Sequence, residues 1–336
     1  MKNNDVFTAS VILKEATMDK HVPDDFYSTT NHNTMIFWDG RWISVQNQRM
    51  DAIIVVDHNS AYCKKLRDIK KGEQLVCGDT GVRVLNQNEL EGNAQFGFMN
   101  NCVSSERRNE LIIRELAENI VKNNKKVTFV LGPVVVHTGG DEYLRELIRD
   151  GYVLSILAGN AVAVHDIEKS LYGTSLGVCE KSGRAVQMGY RNHMRAINQV
   201  NKFGSIRETV DAGVINSGIM YECIKNNVPF VLAGSLRDDG PLPDTITDMI
   251  KAQEAYSKHL MCSDIVVVLG SMLHGIASGN MLPASVEMVC VDINPAVVTK
   301  LSDRGSSQAA GIVTDVGLFL NLLVKELKEK QLRQVI

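Results

Sequence analysis

The chain has 336 residues, 44% of them hydrophobic and 22% charged, with a net charge of −3. That length supports one large or two medium domains, and the charge gives no electrostatic drive toward nucleic acid or an anionic membrane. Seven cysteines and eight histidines without CxxC or HExxH spacing argue against a structural metal site.

No run approaches the ~18 apolar residues of a membrane span. Cysteines such as Cys262 and Cys290, read as lying in apolar strands, together with a polar start (MKNNDVFTAS), are the pattern of a cytoplasmic protein. Residues 1–100 read as a small β-rich domain, with short β-like runs at 35–38, 42–45, 51–56, 75–76 and 82–85. Turn signals such as Asp39-Gly40 and Lys71-Gly72 separate them. The segment 24–32, DDFYSTTNH, is dense in hydrogen-bonding side chains and suits a capped turn before the next strand. A polar, Asn-rich stretch over 86–101 closes this domain.

Residues 101–336 alternate strand and helix, which argues for a parallel sheet and an α/β domain. A helix is expected over 110–123 and a buried strand over 126–136, leading into His137-Thr138-Gly139-Gly140-Asp141-Glu142. Glycines there let backbone approach a ligand, although helix starts after strands often carry them without binding anything. A strand over 152–158 ends at Gly159-Asn160, where Asn160 suits either a cofactor amide or the turn itself. His165 lies in an apolar context that fits a buried structural histidine as well as a proton carrier. Residues 172–184 read as a loop or lid. Arg191, Asn192 and His193 open a helix, where Arg191 is placed to hold a carboxylate or simply to face solvent.

A helix over 211–226 feeds a buried strand over 228–233 and then LAGSLRDDGPLPD. That loop brings Ser235, Arg237, Asp238, Asp239 and Asp244 to a strand end, where open α/β sheets bind ligands. A helix over 245–260 and a strand over 264–269 follow, the latter ending in Gly270, Ser271 and His274. The last strand, 289–291, ends in Asp292, a candidate partner for a ribose diol. Residues 301–311 read as a glycine-bearing loop and 316–332 as a closing amphipathic helix. No metal is expected.

Several blocks resemble deoxyhypusine synthase, an NAD-dependent enzyme with a Rossmann-like sheet. They are Val103-Ser104-Ser105-Glu106-Arg107, Thr138-Gly139-Gly140-Asp141-Glu142, Ala158-Gly159-Asn160 and Asp239-Gly240-Pro241-Leu242-Pro243-Asp244. The lysine on which that family forms a covalent imine has no counterpart in Gly311–Asp315. Longer blocks, including DFYSTTNH, AGNAVAVHDIE, RNHMRAIN and SGIMYECIKNNVPFVLAGSLRDDGPLPD, resemble the archaeal-type ornithine cyclodeaminases. Those proteins join a domain related to the lysine-oxoglutarate reductase/saccharopine dehydrogenases to a deoxyhypusine-synthase-like one.

The resemblance implies NAD as cofactor and ornithine as substrate, with proline and ammonia as products. It also implies a homo-oligomer and a working relation with an arginine dihydrolase. Carried over from the deoxyhypusine-synthase blocks, Ser105, Gly139, Glu142 and Asp239 would contact NAD; Ser104, Thr138, Gly140, Asn160, Gly270 and Ser271, with Asp292 from its strand-end position, complete the expected cofactor-binding set. Asp244 and Asp303 would hold the substrate ammonium and Arg191 or Arg237 its carboxylate. His165, His193 or His274 would move protons, with Asn31 and His32 of the small domain capping the site. A dehydrogenase of another basic amino acid, a polyamine transferase and a non-catalytic NAD-binding partner of a dihydrolase are the competing readings.

Overall fold

The computed structural model describes residues 9–85, 105–179, 182–238, 240–304 and 309–335. Contacts divide the chain into two compact units, the first built on the residues up to 97 with 280–286 and 305–308 added, the second on the remainder.

The first unit carries β1 (Ile12–Glu15), β2 (Thr34–Trp38), β3 (Arg41–Gln46), β4 (Ile53–Asp57), β5 (Ser60–Lys64), β6 (Gln74–Cys77) and β7 (Val82–Val84). Their order is β1-β6-β4-β5-β3-β2-β7, antiparallel except for the parallel β3–β5 pair. The β2–β3 hairpin turns at Asp39 (φ 52°) and Gly40 (φ 73°), the left-handed pair that a two-residue hairpin loop demands. Along β4, Ile54 and Val56 join a core with Ile36, Val45 and Val76, whereas Ile53 and Val55 join a second with Ile69 and Leu75. Because successive side chains point to opposite faces, a strand between two cores must be apolar at every position, as Ile53–Val56 is. β1 and β5 carry too little apolar alternation for the sequence to announce them. The Asn-rich stretch over 86–101 lies outside the described residues.

The second unit begins with α1 (Ser105–Asn123), β8 (Val127–Leu131), α2 (Val134–His137) and α3 (Asp141–Arg149). β9 (Val153–Gly159), α4 (Asn160–Tyr172), the hairpin β10 (Thr174–Ser175) and β11 (Val178–Cys179), α5 (Asn192–Phe203), α6 (Ile206–Asp211) and α7 (Ile219–Lys225) follow. Then come β12 (Phe230–Ala233), β13 (Thr245–Ile246), α8 (Met249–Leu260), β14 (Ile265–Leu269) and α9 (Met272–Met281). β15 (Glu287–Asp292), α10 (Pro295–Arg304), β16 (Ala309–Val313) and α11 (Val316–Val335) complete it. The sheet is parallel throughout in the order β13-β12-β9-β8-β14-β15-β16. Every residue of β8 and β14 is buried, as expected of inner parallel strands covered on both faces. This is the Rossmann-like α/β architecture expected, beside a separate β-rich unit.

Several boundaries differ from expectation. The strand expected over 126–136 stops at Leu131, because Gly132-Pro133 turns the chain and Val134–His137 closes a helical turn despite its β-branched residues. The helix expected over 211–226 is broken; Gly218 sits at φ 108°, and the helix resumes only at Ile219. Residues 245 and 246 extend the sheet as β13, and α8 starts at Met249 behind the Asp248 cap. Much of the expected loop over 301–311 is the end of α10 and the edge strand β16. Cys262 is exposed after α8 and not in a strand, while Cys290 is buried in β15. Among the described residues no helix is long and apolar enough to cross a membrane, and no His/Cys/Asp/Glu group could hold a metal.

Candidate active site

The strand order reverses between β8 and β14, and a parallel sheet opens its crevice at such a reversal. Gly132 follows β8 and donates its N–H to Leu269 O at 2.8 Å; Gly270 follows β14 and donates to Val291 O at 2.9 Å. A Cβ on Gly132 would stand 1.9 Å from Gly270 O. On Gly270, at φ 58°, it would stand 2.0 Å from Val134 Cγ1. Only bare backbone fits at this crossing. Gly270 was legible as the residue ending a strand, whereas Gly132 was hidden inside the overlong strand assignment.

Beside the crossing, a cavity of about 490 Å³ is lined by residues that include Pro133, Asn160, His165, His193 and Arg237, with His137 and Asp238. His165, on α4, is one of its lining residues. His165 Nδ1 lies 3.1 Å from Glu168 Oε2, and Glu168 is fully buried. A carboxylate only accepts, so Nδ1 carries the proton and a neutral ring keeps its lone pair on Nε2. Glu168 also accepts from Thr174 Oγ1 at 2.9 Å, from Gly177 N–H at 3.1 Å and from Leu176 N–H at 3.3 Å. Burial alone would raise its carboxyl pKa; the hydrogen bonds from His165, Gly177 and Thr174 outweigh that and leave it below the ordinary value. Thr174 accepts in turn from Asn192 Nδ2 at 2.9 Å, tying the start of α5, where His193 lies, to the same carboxylate.

His137, which the sequence did not single out, stacks edge-on against His165 at 5.0 Å between ring centroids. Its Nδ1 lies 2.6 Å from Ser175 Oγ, and burial, with the neighbouring His165, pushes its pKa down. His137 matters through Ser175 and His165, far along the chain, whereas Glu168 stands one helical turn from His165, a spacing that could have paired them. Thr138 and Gly139 line a second cavity of about 450 Å³ with His137, Lys169, Ser175 and Cys179. Thr138 donates its hydroxyl to Val134 O, Gly140 caps α3, and Glu142 is exposed in the first turn of that helix.

His274 lies on α9 with Nδ1 3.2 Å from Ser271 Oγ, and a Cβ on Gly159 would stand 2.9 Å from its Cε1. Burial depresses its pKa, partly opposed by the Asp238 charge. Asn160 Oδ1 accepts from Leu242 N–H and Thr245 Oγ1, both at 3.0 Å. Its oxygen therefore ties down the turn while the residue lines the cavity. Asp292 Oδ1 accepts from Asn294 N–H at 2.8 Å just past β15. Arg191 donates to Tyr190 Oη at 3.3 Å and does not line the cavity.

Asp244 is tied to the start of α6, where its Oδ2 accepts from Ile206 N–H at 2.8 Å. Burial raises its carboxyl pKa, against the pull of that bond. Asp244→Ala is expected to cost about 1–3 kcal/mol through the lost acceptor, read as a lower melting temperature, with turnover retained. An unchanged melting temperature with abolished turnover would return Asp244 to the chemistry. Ser104 and Asp239 lie outside the described residues, as do the side chains of Ser105 and Asp303. Asn31 and His32 belong to the first unit, in the turn ahead of β2.

Residues 110–323 match the model of the arginine dihydrolase ArgZ-like C-terminal Rossmann-fold region, and residues 33–113 match its first region. An ornithine cyclodeaminase of Methanocaldococcus jannaschii is 52% identical over 330 residues, covering 95% of this chain and 78% of that protein. The chain belongs to the archaeal-type ornithine cyclodeaminase family. Within that family, the bifunctional arginine dihydrolase/ornithine cyclodeaminase AgrE of Nostoc sp. is 52% identical over 94% of this chain. This chain spans 46% of AgrE, about half the length of that relative. AgrE has been solved in a ternary complex with ornithine and NAD+; that structure matches 96% of this chain with a TM-score of 0.64. A conserved LOR/SDH protein of Methanococcus maripaludis is 47% identical, with a TM-score of 0.88 over 96% of this chain and 99% of that one.

Proposed function

We propose that the chain converts L-ornithine into L-proline and ammonia in the cytoplasm, as a homo-oligomer using ornithine made by an arginine dihydrolase. Family membership supports the reaction class, and the observation that carries the chemistry is His165. It is held by a buried carboxylate on the wall of a cavity at the strand ends. Proline and ammonia together contain all the atoms of ornithine, so no oxidant is consumed over a turnover.

The residues at the switch point suit NAD+. The bare backbone of Gly132 and Gly270 permits close approach, and Asp292 at the end of β15 offers a carboxylate for ribose hydroxyls. Ser271 follows at the start of α9. When bound, NAD+ supplies the acceptance and return of a hydride at the substrate α-carbon.

The chain's own residues do the rest. His165 Nε2 takes the proton from a substrate ammonium, and Glu168 fixes the ring orientation and stabilises the charge that forms. His193 and His137 stand on the same wall for the second proton transfer. Arg237 brings a guanidinium to the cavity for an anionic group of the bound molecules. Ring closure is intramolecular, so holding the folded substrate out of water is the main demand on the site.

Incubation with ornithine and catalytic NAD+ tests this. Proline and ammonia are expected to be released in equal amounts with no net NADH. Accumulating NADH without proline would replace the reading with a simple dehydrogenase, and no turnover at all would remove it.

A further inference from the structure

The buried carboxylate of Glu168 is reached by a chain of groups that all donate in one direction. Arg195 Nη1 donates to Asn192 Oδ1 at 3.3 Å, and Asn192 Nδ2 donates to Thr174 Oγ1 at 2.9 Å. Thr174 Oγ1 donates in turn to Glu168 Oε1 at 2.9 Å. Each step fixes the next. A guanidinium can only donate, so the amide of Asn192 turns its oxygen to Arg195 and its N–H to Thr174. A hydroxyl that accepts from Asn192 has its one hydrogen left for the carboxylate. Arg195 is itself held over the Tyr172 ring, 4.4 Å from the centroid.

Local sequence explains how Thr174 reaches a residue six positions before it. α4 stops at Gly173, whose φ of 64° reverses the chain, and Thr174 folds back onto the helix it has just left. Thr174 is 3% exposed and Asn192 7%, so bulk water does not compete for either group.

A carboxylate has room for about four donors. Glu168 meets His165 Nδ1, Thr174 Oγ1, Leu176 N–H and Gly177 N–H. They share one negative charge, so what Thr174 draws is withheld from His165. His137 on α2 faces both His165 and this charge. His193 on α5, with Arg237 and Asp238 after β12, lines the same cavity, while Lys169 of α4 pairs with Asp141 of α3.

We infer that Thr174 and Asn192 are positioning residues that set, through Glu168, how strongly His165 holds a proton. By taking up part of the carboxylate's charge, the hydroxyl keeps His165 a base that both accepts a proton and returns it. The inference rests on the proposed function in taking His165 as the proton carrier of ornithine turnover.

The ring titration of His165, followed by NMR on the full chain without substrate, tests this; its signals are those that vanish in His165→Ala. Thr174→Val keeps the shape and removes the hydroxyl, so the midpoint is expected to rise by about 0.5–1 pH unit. Thr174→Ser should restore the parental midpoint. Asn192→Ala reads the same chain from its far end. It should move the midpoint the same way by less, and add nothing to Thr174→Val in the double variant. In ornithine turnover the acid limb of the kcat/KM profile should move with the ring. Midpoints within about 0.2 unit of the parent in Thr174→Val and Asn192→Ala would overturn the inference. So would additive effects in the double variant, or turnover lowered equally at every pH, the mark of a merely structural loss. A shifted ring without proline formation would keep the relay and reject the reaction. Proline formation with neither ring nor profile shifted would keep the reaction and reject the relay.

Discussion

His165→Ala is expected to lower ornithine turnover by about 10²–10⁴-fold, the usual effect of losing a positioned proton carrier, while NAD+ affinity stays within about threefold. His165 commits one ring nitrogen to Glu168 and is among the residues that line the cavity. Glu168→Gln probes the same unit differently. The substituted amide would turn a donor toward groups that already donate, namely Thr174, Leu176 and Gly177. Turnover should fall at least about tenfold, and stability by about 1–3 kcal/mol.

The pH dependence of that stability follows from the depressed Glu168 pKa. A carboxyl held below its ordinary 4.5 in the folded state binds fewer protons than in the unfolded chain. Its stabilisation is therefore complete above that value and is lost as pH falls through the folded-state pKa. The parent should lose its stability margin over Glu168→Gln on acidification, in urea-unfolding midpoints measured from pH 7 downward. His165→Ala retaining more than a third of parental turnover would move the proton transfer to another side chain.

Gly132→Ala is expected to destabilise the chain by about 3 kcal/mol or more, the upper range for forcing volume into packed structure. At ~2–4 °C per kcal/mol for domains of this size, the melting temperature should drop by about 6–12 °C. The added methyl would overlap Gly270 O at 1.9 Å, and both residues continue strands that are paired in register. No flexible side-chain tip is available to move aside. Gly139→Ala is the matched control. Its φ of 75° is strained for alanine, yet a Cβ there meets nothing within 4 Å, so it should cost only about 1–2 kcal/mol. Equal melting temperatures for the two variants would mean that β8 and β14 separate easily, and the crossing would lose its role in shaping the crevice.

By itself, the sequence determined the class of architecture and the position of the ligand-bearing end. Continuous apolar runs such as Ile265–Leu269 suit strands covered on both faces, and the Asp39-Gly40 pair announces its hairpin, because both patterns are local consequences of side-chain polarity and backbone sterics. The long blocks around His165, Arg191 and Asp244 carried the family. The His165–Glu168 pair lies within one helical turn, but which cavity it faces and which residues join it were decided by tertiary structure. Asp244 was expected to hold the substrate ammonium and His165 to be structural or a proton carrier; Asp244 accepts from Ile206, while His165 meets Glu168, His137 and the cavity. Gly132 matters only because Gly270 folds against it from 138 positions along the chain. Spacing in sequence reports neighbours within one turn or strand, and it is silent about which strand ends the sheet brings side by side.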